Sequence, residues 1–197
     1  MSPGRSYHHG DLRAALIEAS FELLAECGLR RFSVAEVARR LGVSSAAPYR
    51  HFADRRQLLS AVSTAAARDL RTAIEAAADA AGDDPAARLA ASAGAYVRYV
   101  GRTGAGIQVI YAAELYDVAD DARREQTRAL MTTMLDLAGA AGGARTYPEV
   151  VLLAEATIAV AHGYTSLFAD GFFARNSSTV DDIAARAVEA AGALIPH

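Results

Sequence analysis

Residues 33–56 read SVAEVARRLGVSSAAPYRHFADRR, and the fold turns on how this stretch is parsed. Ser33, followed three residues later by Glu36, has the form of a capping box that opens a helix, and Phe32 just ahead can staple onto Val37. The helix runs through VAEVARRL and stops at Gly42, a residue suited to the left-handed C′ position. Val43 then re-enters the core, and Ser44 or Ser45 opens a third helix. Pro48 decides between the two serines. A cap at Ser44 needs an N–H from residue 48, which proline lacks, whereas the Ser45 carbonyl can accept from Tyr49. The expectation is a short, late-starting helix capped by Ser45 with Pro48 in its first turn. Two short helices joined by a glycine turn, with Val37, Leu41 and Val43 apolar and Ala38 small at the crossing, describe a helix-turn-helix. In that motif the second helix lies in the major groove of DNA. An ordinary pair of bundle helices does not explain why the third helix has almost no apolar face.

Upstream, a first helix is expected from Asp11, a good N-cap, to Gly28. Leu12, Leu16, Ala19, Leu23 and Cys27 form its apolar arc, with Glu18, Glu22 and Glu26 opposite. Charge separates along the chain. Residues 1–60 hold nine Arg against six acids, and the remaining 137 residues hold 11 Arg against 17 acids. A basic head on an acidic body is the asymmetry of a protein whose head alone meets a polyanion. Lysine is absent; all 20 basic residues are Arg. Cys27 is the single cysteine, which forbids an internal disulfide and suits a reducing cytoplasm, with a small buried hydrophobe as its role. The first residues have no apolar core of the secretory type, and the longest apolar run, VVLLAEATIAVAHG, is read as too short to span a bilayer. His8, His9 and Asp11 are too few to hold a metal, and an N-terminal arm touching DNA is the better reading. No metal or cofactor is expected.

The stretch FSVAEVARRLGVSSAAPYRHFADRRQLLSAV, preceded by a helix ending in LLAECGL, resembles the DNA-binding domain of the tetracycline-repressor (TetR) family of bacterial regulators. YHHGDLR and APYRHF further resemble a branch whose C-terminal domain is named for a Trp-His-Gly motif, here Ala161-His162-Gly163 followed by YTSLFADG. The resemblance implies an all-α fold: a three-helix helix-turn-helix domain over residues 1–55, joined by a long helix to a helical ligand-binding and dimerisation domain over residues 56–197. It implies a ligand-responsive repressor that binds a double-stranded, near-palindromic operator as a homodimer. Ser33 and Ser44 then meet phosphates, with Tyr49, His51 and Arg55 on the backbone. Ser45, Ala46, Ala47 and Arg50 face the bases, small alanines allowing close approach and contact with thymine methyls.

Beyond Asp54, helices are read at 54–80, 84–102, 105–117, 120–142, 147–170 and 179–194, with caps at Asp84-Pro85 and near Pro148. The last two are rich in alanine, which suits close packing across a dimer seam; the resemblance places the family's dimer contact there. The ligand chamber it implies draws on Tyr96, Tyr99, Tyr111 and Tyr116, which join apolar rings to polar tips, and on adaptable Met131 and Met134. Glu155, His162 and Ser166 recur at seven and four as a polar stripe in an apolar helix. A buried stripe needs partners, either within the protein or on a ligand. Two rival classes stand beside this reading. One is a ligand-independent activator or architectural factor, and the other a small helical enzyme using Glu155 and His162 as acid and base.

Overall fold

The computed structural model describes residues 12–143, 146–174 and 178–195. Among them every regular element is helical. Helix α1 (Leu12–Cys27) buries Leu16, Ala19, Leu23 and Leu24, and Gly28, at φ 70°, ends it by returning its N–H to the Leu24 carbonyl at 2.9 Å. Cys27 is half-buried beside the core rather than within it. Asp11, His8 and His9 lie outside the described residues.

Helix α2 (Val34–Arg40) starts where expected, with Ser33 extended at its N-cap, yet the capping box does not form. The Glu36 carboxylate is drawn forward to Arg39, at 2.6 and 2.8 Å, and toward Arg40 at 3.6 Å, so it does not reach back to the Ser33 amide. A guanidinium fork one turn ahead outcompetes a single neutral amide. The end of α2 follows the glycine rule: Gly42, at φ 66°, donates to Arg39 O and Val43 donates to Ala38 O, both at 3.1 Å. That pair is a Schellman motif, which only a left-handed residue at 42 permits.

The third helix is shorter than expected and begins later. Ala47 N–H closes a turn on Ser44 O at 2.9 Å, and a single 3-10 turn follows over Pro48–Arg50. Ser45 is therefore not the cap; Ala47 precedes the turn, and Pro48 takes its first position. Its ring is buried, so packing as well as the missing N–H sets where the turn begins.

Helix α3 (Arg55–Ala80) is capped by Asp54, whose carboxylate accepts from Gln57 N–H at 2.9 Å. It runs unbroken for 26 residues, burying Leu58, Leu59 and Val62 near α1 and α2, then Leu70 and Ile74 further on. Helix α4 (Pro85–Thr103), capped by Asp84, is the central post, packing against α3 and three later helices. Those are α6 (Asp121–Gly142), α7 (Tyr147–Ala169) and α8 (Val180–Gly192). The α4–α8 seam is close because Gly94 and Gly101 lie on it: a Cβ at Gly94 would sit 2.7 Å from Val188 Cγ2, and one at Gly101 2.9 Å from Val180 Cγ1. Ala184, Ala187 and Ala191 are fully buried, so much of the alanine in α8 serves this chain's own core.

The helix expected over 105–117 is broken into α5 (Ile107–Ile110) and a 3-10 turn at Ala113–Leu115. Tertiary contacts hold the break: one takes a carbonyl that would propagate the helix, and one anchors the next side chain to α6. The Ser63 hydroxyl of α3 donates to Ile110 O at 2.8 Å, and Tyr111 turns its hydroxyl to Thr127 O at 3.2 Å.

Candidate nucleic-acid interface and ligand cavity

The turn after α2 presents a row of side chains with no partner of their own. Ser44, Ser45, Ala46, Tyr49, Arg50 and His51 are exposed, and Ser33 and Ala47 are half-buried beside them. Among the described residues, none of these side chains takes part in a hydrogen bond or ion pair. Beneath the row, Pro48 and Phe52 are buried, and Arg13 lies over the Phe52 ring at 5.2 Å. A hydroxyl, a phenol, a guanidinium and an imidazole are thus held on a fixed turn and left unspent. That is the donor set that meets phosphates and base edges.

Arg55 stands apart from the row. Its guanidinium pairs with Glu114 and donates to the carbonyls of Phe32 and Leu29, both at 3.3 Å, while the adjacent Arg56 donates to Glu114 O at 2.8 Å. Three of its five N–H donors are spent within the protein, and the pairing with Glu114 competes with any phosphate for the guanidinium charge. Nothing in the sequence signals Glu114, which lies 59 residues from Arg55 and meets it only because the 3-10 turn at 113–115 docks on the start of α3. Arg40 likewise pairs with Glu26, tying α2 to α1.

The body holds a partly open cavity of about 30 Å³ between α3, α4, α5, α6 and α7, with Tyr96, Ile107, Tyr111, Met131, Met134 and Thr157 among its walls. Of the residues proposed from the sequence for a ligand chamber, Tyr96, Tyr111, Met131 and Met134 are among these walls. Tyr99 and Tyr116 are not: Tyr99 is buried elsewhere in the core, and Tyr116 is exposed. Glu155 does not line it either. Thr157, Ile158 and Ala161 face the cavity, and a residue two positions from Thr157 falls on the far side of a helix, where Glu155 is exposed. His162 and Ser166 are only half-buried, so the expected buried stripe is not there. His162 instead reaches the cavity wall from outside, its Nδ1 3.0 Å from the Tyr96 hydroxyl. That hydroxyl also accepts from Ile107 N–H at 3.1 Å. Burial pushes the Tyr96 phenol up to about 12, against the smaller downward pull of the Ile107 amide, and burial also raises Tyr111.

Helix α7 falls within the 147–170 read from the sequence, but the apolar stretch it carries is longer than the run read as too short for a bilayer. By length and composition its 23 residues suffice to cross a membrane, and little of that stretch is buried in the chain. Its outer face shows Leu152 and Leu167, with Leu194 nearby.

A chain with this head and body has close relatives in shape. A protein of unknown function from Rhodococcus sp. RHA1 superposes with a TM-score of 0.73 at 28% identity, over 98% of this chain and 100% of that one. A bacterial regulatory protein of the tetR family from Rhodococcus RHA1 follows at 0.64 and 22% identity, over 92% and 95%. The multidrug binding protein EbrR, complexed with imidazole, gives 0.54 at 22% identity, over 94% and 95%. Among curated proteins none matches in sequence. Two family models match: bacterial regulatory proteins of the tetR family over residues 16–62, and the tetracyclin repressor-like C-terminal domain over residues 89–191. The second does not bear out the Trp-His-Gly branch. With the helix-turn-helix at one end and the second model spanning the helical body, the chain belongs to the tetR family of DNA-binding transcriptional regulators.

Proposed function

We propose that this regulator is a repressor that binds a near-palindromic operator as a homodimer and is released by a small molecule. Residues 1–55 form its DNA-binding head and residues 56–197 its ligand-binding and dimerisation body, and it acts in the cytoplasm. The observation that carries the reading is the unpartnered row on the fixed turn after α2. Ser33, Ser44, Tyr49 and His51 meet the backbone, and Ser45, Ala46, Ala47 and Arg50 face bases. Arg55 joins the phosphate contacts when Glu114 releases it. A single turn of recognition helix reads few bases, so two heads related by a two-fold axis are needed. The outer face of α7, with Leu152 and Leu167 exposed, and its neighbour α8 supply the seam. The apolar cavity, together with a structural neighbour described as a multidrug binding protein, supports a small-molecule effector.

The size of the cavity favours a second reading, a ligand-independent regulator, because about 30 Å³ admits little more than water. An electrophoretic shift on the DNA flanking the protein's own gene tests both. Retardation that falls steeply with salt is expected, and its release by a small molecule separates the two readings. No retardation on that DNA, nor on a randomised pool, would remove the DNA-binding reading altogether.

A further inference from the structure

The cavity's walls state what kind of molecule they accept. Among the described residues no charged side chain lines it. The Ser92 hydroxyl is spent on Leu89 O at 2.6 Å, that of Thr157 on Leu153 O at 2.9 Å, and that of Tyr111 on Thr127 O at 3.2 Å. An ion entering here leaves water and finds no counter-charge, a transfer that apolar surroundings oppose strongly. Tyr96 differs from the other three. Its oxygen accepts from Ile107 N–H and also lies 3.0 Å from His162 Nδ1, so this hydroxyl alone bonds outside its own helix to two separate elements.

The same cavity is too small for any organic molecule as it stands. An engineered apolar cavity that takes benzene measures about 150 Å³, several times the space present here. One wall must yield. α3, α4, α6 and α7 are helices of 19 to 26 residues, whereas α5 has four. α5 is also set off by glycines: Gly104 at φ 63°, then Gly106 packed against the Tyr96 hydroxyl, where a Cβ would meet it at 2.6 Å. Ile107 lines the cavity, and its amide is the one Tyr96 holds. On the other side of this segment Gly104 rests directly on α1, so closely that a Cβ there would stand 2.5 Å from the Ala25 Cα. α1 in turn carries Glu26, the partner of Arg40 on α2.

We propose that the effector is an uncharged, mainly apolar molecule, and that Tyr96 reads its arrival. The molecule makes room by displacing Ile107, which breaks the amide–phenol bond and shifts the Gly104 seat under α1. Tyr96 is thus a positioning residue for the DNA-binding head as well as a wall of the cavity. This rests on the ligand-responsive reading above, and the test separates the two.

Toluene, benzyl alcohol, benzoate and benzylammonium share one ring and differ in charge and polarity. Full-length protein is titrated with each by calorimetric melting, and operator binding is followed by anisotropy of a labelled fragment. Toluene and benzyl alcohol should raise Tm, and the two ions should not. Binding of benzyl alcohol should weaken operator affinity by about fivefold or more, the lower range of allosteric coupling. Y96F should bind operator more weakly without any probe and respond to benzyl alcohol less than the parent, while toluene still raises its Tm. G106A reaches the same end by a separate route, wedging a methyl against the Tyr96 hydroxyl at a backbone conformation alanine adopts freely (φ −86°). Stabilisation by benzoate or benzylammonium equal to that by toluene overturns the ligand class, as does binding of none of the four. Y96F and G106A that both keep parental operator affinity and full probe response overturn the role of Tyr96. A parent that binds no DNA removes the regulatory reading, and the melting arm still decides the ligand class.

Discussion

Pro48 does two jobs at once. It occupies the first position of the 3-10 turn, where its missing N–H costs nothing, and its ring is buried under the exposed row of Tyr49, Arg50 and His51. Pro48→Gly removes both the fixed φ and the packing. Operator affinity should fall by about 1 kcal/mol on the scale of Gly and Pro backbone effects, with a smaller fall in Tm. Fluorescence anisotropy and thermal melting of the variant check this, and an unchanged affinity would mean the preset turn is irrelevant to binding. Asp120 is the clearest titrating group of the body. Burial raises its pKa, but the Arg123 N–H, the Ser60 hydroxyl at 2.7 Å and the Arg123 charge outweigh it, leaving the carboxyl below its ordinary 3.8. A lowered native pKa stabilises the fold above the unfolded value and is lost as pH falls through the native one. Asp120→Asn should therefore lower Tm at neutral pH and flatten the loss of stability below pH 3.8. Melting curves along an acid series of buffers will show parallel parent and variant profiles if Asp120 has no such role.

At the level of elements, the joint between head and body depends on α4 ending at Gly104. Its φ of 63° and its contact with the α1 backbone leave no space for a side chain, since the atoms met are main-chain Ala25 and Leu24. Gly104→Ala forces a left-handed alanine and separates two helices, and it should cost well over about 1 kcal/mol, the scale of the backbone term alone. Chemical denaturation measures this directly; a variant as stable as the parent would place the seat elsewhere. Gly143, also at positive φ, has nothing among the described residues within 4 Å of where a Cβ would stand, so only its backbone is constrained. The α5 break belongs to this scale too. Four residues of helix between two glycines and a captured carbonyl make the segment the least self-supporting wall of the cavity.

For the whole molecule, the proposed homodimer turns on the exposed face of α7. A second copy on this face would double the heads and should set their spacing on DNA at about one turn, 34–36 Å, or a multiple. Leu152→Glu combined with Leu167→Glu should leave each chain folded, because both side chains are already exposed, while sedimentation reports a monomer. Operator affinity should then drop by about a hundredfold or more, the scale of lost bivalence. A dimer that persists in the double variant would move the seam off α7.

Local chemistry determined much of this protein. Gly28 and Gly42 end helices because only a left-handed residue returns the chain there, and Asp54 and Asp84 start them by taking free amides. The family, the all-helical fold and the exposed row after α2 were legible in the same way, since each rests on neighbours a few residues apart. Tertiary structure decided what distance in sequence hides. The Ser33–Glu36 box failed because Arg39 and Arg40 claimed the carboxylate, and the helix over 105–117 broke because Ser63, on another helix, claimed Ile110 O. Arg55 met Glu114, and Tyr96 met both His162 and Ile107, across separations no local pattern encodes. Glu155 and Tyr99 left the cavity for the same reason: periodicity says that a helix has faces, and packing alone says which face looks inward.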